Sequence, residues 1–441
     1  DLDGIATVEA VDNRTVRFNF DDAAPYPYKP FVGFTAPIIQ KAQFKDCVGA
    51  PAQNCTHENE NPIGTGPFMV ADFVPNSVAA FSINPEYRGN AVGKPFFGEV
   101  ILETTGDAES DARAVLENGT ADFAWNLDSA REVLAGLEAN GIGKVFTSHT
   151  SHVEHVNLNQ TDPTTTPPSN YDGGANPNPF FFENQVLHDA LSMAIDRTEL
   201  VEAGYLFTGE PTCNMWHVAG QTSTNNDWCL AQDIAGANAL LDANGYLDTD
   251  MDGVRETPEG MPLDFELRTS TNATRQGTQA LLEEYWSQIG VIVTMEDKDA
   301  SRFFDGTCNF NACIWKFRTD MLMFTNGASS PDPRSYLGSW LTAEIPEQSN
   351  NWPASGNIVR LASPELDALH AQLMTTPPMA PETGTLASRI NDIIVDYSII
   401  PLFLRGDASA FADDVKGHGK LNGWDSEYWN IEDWYRISPG G

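Results

Sequence analysis

One stretch of the chain, residues 233–297, shows the pattern of apolar and polar positions most clearly. A helical repeat of apolar residues ends at Gly245, and apolar and polar residues then alternate over 263–268, as in a strand with one buried face. A second helical repeat ends at Gly290 and is followed by the short apolar run 291–293. Strand, helix and strand in this order predict a parallel, right-handed crossover, which is a unit of α/β folds.

Similar patterns predict helices and strands along most of the chain. A hairpin is predicted near residues 8–20, and further strands at 68–73, 78–84, 98–103, 121–125, 146–158 and 399–404. Helices are predicted at 110–118, 129–139, 184–196, near 364–374 and at 385–397. Because strands alternate with helices, the predicted fold class is α/β.

The composition indicates a large globular protein with a strongly acidic surface. The chain has 441 residues, of which 41% are hydrophobic, so it can bury a sizeable core and form two or more lobes. Its net charge of -37 and its pI near 4.3 argue against nucleic acids and anionic membrane surfaces as partners, because both are themselves negatively charged. No apolar run is long enough to span a membrane.

The six cysteines lie in three close pairs along the sequence. The pairs are Cys47 with Cys55, Cys213 with Cys229, and Cys308 with Cys313. Their even number and close spacing predict three local disulfides and therefore an oxidising compartment outside the cytoplasm. Free thiols and a zinc site are the alternatives, although no Cys-x-x-Cys motif occurs.

A loop with the spacing of an EF-hand lies between the first helix and the first strand of the 233–297 stretch. Oxygen donors recur at loop positions one, three, five, seven, nine and twelve, and a glycine occupies position six. The donors are Asp248, Asp250, Asp252, the backbone carbonyl of Val254, Glu256 and Glu259. A chain wraps this tightly around Ca²⁺ only with glycine at the sharp turn, so a structural calcium site is predicted. The alternative is an acidic surface turn.

Two other chemistries have weaker support in the sequence. His149, His152 and His155 suggest a zinc site, but alternation along a strand points His152 away from the other two, so surface histidines at a strand edge are expected.

A secreted hydrolase is the alternative of another class, because carboxylates are abundant. However, no Gly-x-Ser-x-Gly, His-Glu-x-x-His or glycine-rich phosphate loop occurs. We therefore expect a protein that is not an enzyme.

Short motifs in a consistent order give the chain a family resemblance. They are Gly64-Thr-Gly66-Pro67-Phe68 with Asn84-Pro-Glu-Tyr87-Arg-Gly89, Leu187-His-Asp-Ala190 with Asp196-Arg197, the loop from Asp248 to Glu256, Pro331-Asp332-Pro333, and Ile400-Pro401-Leu402-Phe403. With these motifs the chain resembles the extracellular solute-binding proteins of peptide-type ABC transporters. That family includes oligopeptide-, dipeptide-, nickel- and some oligosaccharide-binding members.

The resemblance implies a two-lobed, periplasmic-binding-protein-like fold of the type II, large cluster C kind, with a hinge between the lobes. Residues 63–160 with 400–441 are then expected in lobe I, and residues 161–399, including the calcium loop 248–259, in lobe II. Residues 1–62 are expected to be the remnant of a smaller subdomain, since family members carry a long segment before the first hairpin. Truncation or a reduced variant would explain why that segment does not appear here.

The resemblance also implies a function, which is capture of a small solute for an ABC permease in the membrane. The expected protein is a monomer that lies in the periplasm, is anchored at the cell surface or is secreted. Peptides and oligopeptides are the first expected ligand class. No nucleic acid is expected as a partner, and Ca²⁺ is the only expected cofactor.

One position counts against peptides with a free amino group. Peptide-binding relatives carry an aspartate, close before the Pro-Asp-Pro motif, that pairs with the peptide's α-amino group. Ser329 stands in that place here, and Asn326 or Thr325 replaces a nearby tryptophan. A buried ammonium group without a counter-charge is costly, so α-peptides are disfavoured unless Asp332 takes over the role.

Oligosaccharides are the alternative ligand class in the same family. Sugar hydroxyls suit the polar side chains of Asn326, Ser329 and Asp332, and the faces of sugar rings suit aromatic platforms. The candidate platforms are Trp125, Trp216, Trp315 and Trp340. Because a tryptophan is more often a core residue than a ligand platform, only one or two of the four are expected to contact a ligand.

Overall fold

The computed structural model describes most of the chain, namely residues 5–21, 27, 28, 31, 37–49, 52, 54–75, 77–103, 107–127, 129–164, 176–204, 208–271, 273–347, 352, 356–419 and 426–437. In chain order, the elements are β1 (Ile5–Ala10), β2 (Val16–Phe20), α1 (Lys41–Phe44), α2 (Thr56–Glu60), β3 (Phe68–Val74), β4 (Val78–Ile83), β5 (Glu99–Glu103), α3 (Ala108–Leu116), β6 (Phe123–Ala124), α4 (Arg131–Glu138), β7 (Gly143–Leu158), α5 (Gln185–Met193), α6 (Arg197–Gly204), β8 (Glu210–Pro211), α7 (Ile234–Ala243), β9 (Asp264–Ser270), α8 (Ala273–Ser287), β10 (Ile292–Lys298), α9 (Ala300–Phe303), β11 (Met321–Gly327), α10 (Pro333–Gly338), α11 (Pro364–Thr375), α12 (Pro381–Val395), β12 (Ile399–Ala412), β13 (Val415–Lys416) and β14 (Tyr435–Arg436). No helix in this part of the chain is long and apolar enough to cross a membrane.

The chain divides into two compact units. Unit 1 comprises Asp1–Tyr26 with His149–Gly406, and unit 2 comprises Pro27–Ser148 with Asp407–Gly441. The chain thus passes from one unit to the other within β7 and again within β12, whereas the changes were expected near residues 160 and 400. The β1–β2 hairpin groups with unit 1, and residues 27–62 group with unit 2.

The sheet of unit 1 contains the crossover that the sequence predicts. Its strands lie in the order β10-β9-β11-β7-β12, and β8 pairs with β12. β10 runs parallel to β9, with Val293 opposite Phe265, and β11 runs parallel to β9 on its other side. β11 is antiparallel to β7. The parallel strand-helix-strand unit predicted for residues 233–297 is therefore confirmed.

Local signals explain where the helices of this unit begin and end. Asp233 caps α7 by accepting a hydrogen bond from the Gly236 backbone N–H at 2.7 Å. The chain leaves α7 through Gly245, whose φ of 81° suits glycine, as expected from the sequence. On one face of the sheet, buried residues of α5, α7 and α8 form one apolar core with β9, and Trp286 of α8 also donates to the Leu191 carbonyl at 2.9 Å.

Unit 2 contains a three-stranded antiparallel sheet and an aromatic cluster. β4 lies between β3 and β5. The short strand β6 pairs with the C-terminal part of β12, so β12 extends well beyond the predicted strand 399–404. Phe123 of β6 packs against Phe411 of β12 with ring centroids 4.7 Å apart, and against Trp434 at 5.7 Å. These contacts build the apolar core around the end of β12.

The predicted cysteine pairing is confirmed. Disulfides join Cys47 to Cys55, Cys213 to Cys229, and Cys308 to Cys313. Each bond closes a short loop, with sequence separations of 8, 16 and 5 residues.

Candidate functional site

The parallel strands of unit 1 end at one edge of the sheet, and several polar candidates lie there. β9, β10 and β11 end at Ser270, Lys298 and Gly327. In α/β sheets, ligands bind beyond the carboxyl ends of the strands, because the loops that follow these ends are free to vary. We call the residues at this edge of unit 1 the sheet edge.

Asn326 lies at the sheet edge with its side chain already oriented. Its Oδ1 accepts a hydrogen bond from the Tyr336 hydroxyl at 2.7 Å. Tyr336 is buried, and burial raises the pKa of its hydroxyl well above the usual range, so the group is a proton donor at all physiological pH values. The Asn326 amide nitrogen is thereby directed to serve as a donor. Ser329, two residues after the end of β11, is exposed.

Asp332 has a structural role in this conformation. It caps α10, and its Oδ1 accepts from Nη1 of Arg334 at 2.6 Å, with both side chains 6% exposed. The same guanidinium donates to the Leu373 carbonyl. The charge of Asp332 is therefore balanced within unit 1, so this carboxylate is less available as a counter-charge for the amino group of a peptide.

The four tryptophan candidates fall into different environments. Trp216 and Trp340 are each 1% exposed, and both pack against Tyr336, with ring centroids 6.1 and 4.9 Å from it. Trp315 is half-buried against the Cys308–Cys313 disulfide and Trp352. Trp125 belongs to unit 2 and is 58% exposed. Only Trp125 presents most of its ring to solvent.

A buried ion pair near the sheet edge was not anticipated from the sequence. Arg275 of α8 donates from Nε to Glu154 of β7 at 3.0 Å, and the two side chains are 12% and 1% exposed. Its other nitrogens donate to the hydroxyls of Ser270 at 2.8 Å and Thr325 at 3.1 Å. Thr325 in turn donates to Glu154. The sequence offered little signal for this pair, because Glu154 stands among other polar residues of β7, namely Ser151, His152, His155 and Asn157.

The three histidines of β7 do not form a metal site. In the described residues they belong to no group of side chains that could hold a metal ion. His155 is fully buried, and its Nδ1 is 2.8 Å from the Val153 carbonyl. Burial lowers its pKa to about 4. The expectation of surface histidines at a strand edge is wrong for His155, because β7 lies inside the sheet between β11 and β12.

The acidic loop after α7 brings four carboxylates together. One oxygen from each of Asp248, Asp250, Asp252 and Glu256 lies within 4.8 Å of the others. Gly253, at position six, has a φ of 95°, a conformation that suits glycine. Glu259 is outside this group and is exposed.

Backbone N–H groups fix the orientation of these carboxylates. Asp248 accepts from Met251 at 2.7 Å and from Gly253 at 3.1 Å, and Asp252 accepts from Val254 at 2.8 Å. Glu256 is buried and accepts from the Thr249 N–H at 2.8 Å. The carboxylates therefore converge, while the one arginine of the loop, Arg255, donates to Asp242 and Asn238 instead. Such a set of hard oxygens is the type that Ca²⁺ prefers.

The sequence matches a known protein family and several named proteins. Residues 2–347 match a family model described as bacterial extracellular solute-binding proteins, family 5 middle. Proteins of Brucella ovis and Brucella abortus, named as ABC transporter peptide-binding proteins, are 23% identical over 384 residues. The match includes 86% of this chain but 63% of the length of either relative.

Solved structures share the fold at low sequence identity. An oligopeptide-binding protein of Bacillus subtilis, solved with a nonapeptide, has a TM-score of 0.69 and 17% identity over 99% of this chain and 79% of its own. NikZ of Campylobacter jejuni, solved with Ni(L-His), has a TM-score of 0.72 and 17% identity over 98% and 79%. The murein tripeptide binding protein of Escherichia coli has a TM-score of 0.69 and 20% identity over 98% and 75%. The predicted two-lobed binding-protein fold class is thereby confirmed.

Proposed function

Since this chain belongs to the bacterial extracellular solute-binding proteins of family 5, we propose that it captures peptides or oligopeptides outside the cytoplasm for an ABC transporter. The match over residues 2–347 is the observation that carries the proposal. The names of the Brucella relatives and of the Bacillus subtilis structure support peptides as the ligand class. The protein acts as a monomer that delivers its solute to a membrane permease, in the periplasm, at the cell surface or as a secreted protein.

The sheet edge supplies the chemistry for a neutral, polar ligand. Asn326 offers an amide donor, Ser329 an exposed hydroxyl, and both suit the N–H and C=O groups of a peptide main chain. The carboxylates of Asp332 and Glu154 are each engaged by an arginine. A peptide is therefore recognised here mainly through its main chain, and its amino group is left to solvent or to another acid.

Oligosaccharides are the second candidate ligand class, and the pairing of Asp332 and Glu154 with arginines favours them. Sugar hydroxyls need donors and acceptors but no counter-charge, so the balanced charges of Asp332 and Glu154 are no obstacle to them. The Ni(L-His) of the Campylobacter jejuni structure and the murein tripeptide in the name of the Escherichia coli protein are ligands of those two proteins.

A thermal-shift screen tests the proposal. Calcium-loaded protein is heated with di- to pentapeptides, N-acetylated versions of the same peptides, oligosaccharides, Ni²⁺ and Zn²⁺. A ligand at a hundredfold over its dissociation constant adds about 2.7 kcal/mol to the unfolding free energy, which is an easily measured shift. Stabilisation by peptides is the expected result, with free and N-acetylated forms equally effective.

Two outcomes would contradict parts of the proposal. A shift with sugars alone would replace peptides by oligosaccharides as the ligand class, and no shift with either class would contradict capture of both. Recovery of every ligand intact, by mass spectrometry after overnight incubation, is expected of a binding protein. Ligand cleavage would instead support the secreted hydrolase.

We also propose that the loop from Asp248 to Glu256 binds one structural Ca²⁺. Asp248, Asp250, Asp252 and the buried Glu256 supply carboxylate oxygens, and the Val254 carbonyl is proposed as the backbone ligand. The exposed Glu259 contributes little, because Glu256 already lies in the convergent group. The ion would stabilise the loop between α7 and β9 and would not contact the solute.

A further inference from the structure

Asn326 stands at the sheet edge with one end of its side-chain amide in use and the other end open. Its Oδ1 is 2.7 Å from the Tyr336 hydroxyl, whereas its Nδ2 has no hydrogen-bond partner among the described residues. The residue is half-buried, and this nitrogen is not one of the unpartnered atoms that the fold closes off from solvent. The outward end of the amide is therefore the end that a solute at the sheet edge can reach.

The proton of Tyr336 decides which end of the amide faces outward. An amide oxygen accepts hydrogen bonds and an amide nitrogen donates them, but the two ends have nearly the same shape. A hydroxyl group fits against either end. If Tyr336 donates, the oxygen of Asn326 is held and the nitrogen faces the solute. If Tyr336 accepted instead, the oxygen would face the solute and would bind the opposite kind of group.

Burial favours donation by Tyr336. The residue is 8% exposed, and in the described part of the chain its hydroxyl has no acceptor other than Asn326 within hydrogen-bond distance. A buried donor without an acceptor is unfavourable, because it has lost its bond to water and gained none in exchange. Burial also raises the pKa of the hydroxyl, so its proton is retained. That proton therefore points to Oδ1 of Asn326.

A second pair of tyrosine and asparagine in unit 1 has the opposite orientation. Tyr246, which is also 8% exposed, accepts from Nδ2 of Asn184 at 2.8 Å. The backbone fixes the amide there, because the Asn184 oxygen accepts from a backbone N–H of α5 at 3.2 Å and its nitrogen donates to a backbone carbonyl at 2.7 Å. The Asn326 side chain has no such backbone partner in the described residues, so Tyr336 sets its orientation.

The packing around Tyr336 holds its hydroxyl in place. The residue lies in α10, and Trp216 and Trp340 pack against its ring. Trp216 is in turn held by α12, because its backbone N–H donates at 3.0 Å to Oδ1 of the fully buried Asn391. The hydroxyl that orients Asn326 is therefore fixed by segments of unit 1 that are distant in sequence.

We propose that Tyr336 is a positioning residue that fixes Asn326 as a hydrogen-bond donor, and that Asn326 binds a main-chain carbonyl oxygen of a captured peptide. The inference rests on the proposed capture of peptides and defines which peptide atom the sheet edge selects. The carboxylates of Asp332 and Glu154 are each paired with an arginine, so the contact offered here is a neutral donor. A carbonyl oxygen satisfies that donor, whereas an ammonium group would place two donors against each other.

Isothermal titration of the calcium-loaded full chain with alanine peptides of three to five residues tests which end of Asn326 faces the solute. Asn326→Ala should weaken binding by about fivefold, the size of one neutral hydrogen bond. Asn326→Asp should weaken it by about twentyfold or more, because a carboxylate keeps the bond from Tyr336 but turns an acceptor toward the carbonyl oxygen. Binding by Asn326→Asp as tight as by the wild type would overturn the proposal, because the solute atom would then be a donor.

Thioamide peptides identify the carbonyl group that Asn326 binds. In these probes each peptide bond in turn carries sulfur in place of oxygen, and sulfur accepts hydrogen bonds poorly. At one position the wild type should lose about fivefold in affinity, and Asn326→Ala should show no such loss, because it offers no donor. A loss that persists unchanged in Asn326→Ala would assign the carbonyl to another donor and overturn the contact.

The positioning role of Tyr336 is tested by the same ratio of oxygen to sulfur affinities. Tyr336→Phe keeps the ring but lets the amide turn, so the affinity should fall by about threefold and the penalty for sulfur should shrink. Tyr246→Phe is the matched control, because it also removes a buried hydroxyl bonded to an asparagine. It should leave both the affinity and the ratio unchanged. Equal changes of the ratio in the two variants would overturn the positioning role.

The remaining outcomes separate this contact from the capture function. If the wild type binds alanine peptides and the variants at Asn326 and Tyr336 bind them equally tightly, the contact is wrong and the proposed function stands. If the wild type binds none of these peptides, the proposed recognition through the peptide main chain fails and the contact fails with it.

Discussion

Asp332 shows why the residue type alone does not identify a binding site. The sequence places it in a Pro-Asp-Pro motif where it could hold a ligand amine, whereas the structure makes it the cap of α10 and the partner of Arg334. Charge balance between two buried groups is a tertiary property, because Arg334 must also reach the Leu373 carbonyl of α11. The pair is therefore expected to act on stability rather than on ligand choice.

The Asp332→Asn variant tests this structural role. It leaves the guanidinium of Arg334 buried without its counter-charge, and breaking such a pair costs about 3 to 5 kcal/mol. Urea denaturation should show the free energy of unfolding reduced by that amount. Glu365→Gln is the control, because its ion pair with Arg389 has both side chains more than half exposed and should contribute less than about 1 kcal/mol. Equal effects of the two substitutions would contradict the assignment.

Gly406 stands where the neighbouring backbone leaves no room for a side chain. A Cβ at this position of β12 would lie 1.7 Å from the backbone oxygen of Thr208, which only a backbone shift can relieve. Gly406→Ala should therefore destabilise the protein by about 3 kcal/mol or more in urea denaturation. Gly136→Ala is the matched control, since no atom outside the neighbouring backbone of α4 lies within 4 Å of its Cβ position, and it should stabilise by up to about 1 kcal/mol. Destabilisation by both would indicate a general intolerance of substitution.

The calcium loop is the element for which sequence spacing predicted most of the geometry. The glycine at position six adopts the required conformation, and four of the expected donors converge. The spacing could not decide between Glu256 and Glu259, because the chain turns back after residue 257 so that Pro262 pairs with Glu256, and strand β9 follows instead of a second helix. A strand after the loop therefore changes which carboxylate faces inward.

Calcium titration followed by thermal denaturation tests the proposed ligand set. The melting temperature should rise with Ca²⁺ and fall again with excess chelator, because an ion that binds only the folded state stabilises it by mass action. Asp250→Asn should weaken this response at least tenfold, whereas Glu259→Gln should leave it nearly unchanged. A larger effect of Glu259→Gln would show that position twelve, and not Glu256, completes the site.

Charged side chains on the neighbouring strands β9 and β10 make the stability of unit 1 depend on pH. Burial alone would raise the pKa of Glu296, but hydrogen bonds and charges from Lys298 and Arg268 outweigh it and hold the pKa at about 2. A carboxyl group with a lowered folded-state pKa stabilises the fold above its unfolded value, about 4.3, and loses that contribution as the pH falls toward 2. The contribution is therefore fully present at neutral pH.

Glu296→Gln should remove this pH dependence. The side chain is one-third exposed, so after solvent screening we expect a loss of about 1 kcal/mol in the free energy of unfolding at pH 6. The difference from the wild type should shrink steadily in urea denaturations at pH 4, 3.5 and 3. Glu283→Gln, on the exposed side of α8, is the control and should give a small difference at every pH. A difference that grows on acidification would reverse the sign of the argument.

The net charge acts on the whole molecule rather than on any site. A charge of -37 on one chain means that folding brings many carboxylates closer together, and the resulting repulsion is long-range. Dissolved salt weakens this repulsion, since the Debye length falls from about 30 Å at 0.01 M to about 3 Å at 1 M. The folded state is therefore expected to be salt-dependent even though its disulfides and core are not.

Thermal denaturation in increasing NaCl measures this repulsion. With Ca²⁺ kept saturating, the melting temperature at pH 7 should rise by several degrees between 0.01 and 0.5 M NaCl, because each kcal/mol of stability is worth roughly 2 °C or less in a chain of this size. The same titration near the pI of about 4.3 is the control and should show a much smaller rise. A falling melting temperature at pH 7 would mean that ion pairs, which salt weakens, outweigh the repulsion.

Local patterns in the sequence were sufficient for the elements of the fold and for the family. The helix repeats, the cap at Asp233, the glycines at 245 and 290 and the three cysteine pairs each depend on neighbours within a few residues. Such short-range constraints can be recognised in the sequence itself. The parallel crossover and the disulfides were therefore predicted correctly. The ordered motifs added the fold class, which no single pattern carries.

Only the tertiary structure decided which candidate side chains are available to a ligand. Trp216 and Trp340 are buried against Tyr336, and Asp332 is paired with Arg334. Of the four candidate tryptophans, Trp125 is the one that is more than half exposed. The Glu154–Arg275 pair joins residues 121 positions apart. Exposure and charge balance are set by segments distant in sequence that meet only after folding, so composition and spacing name the candidates while packing selects among them.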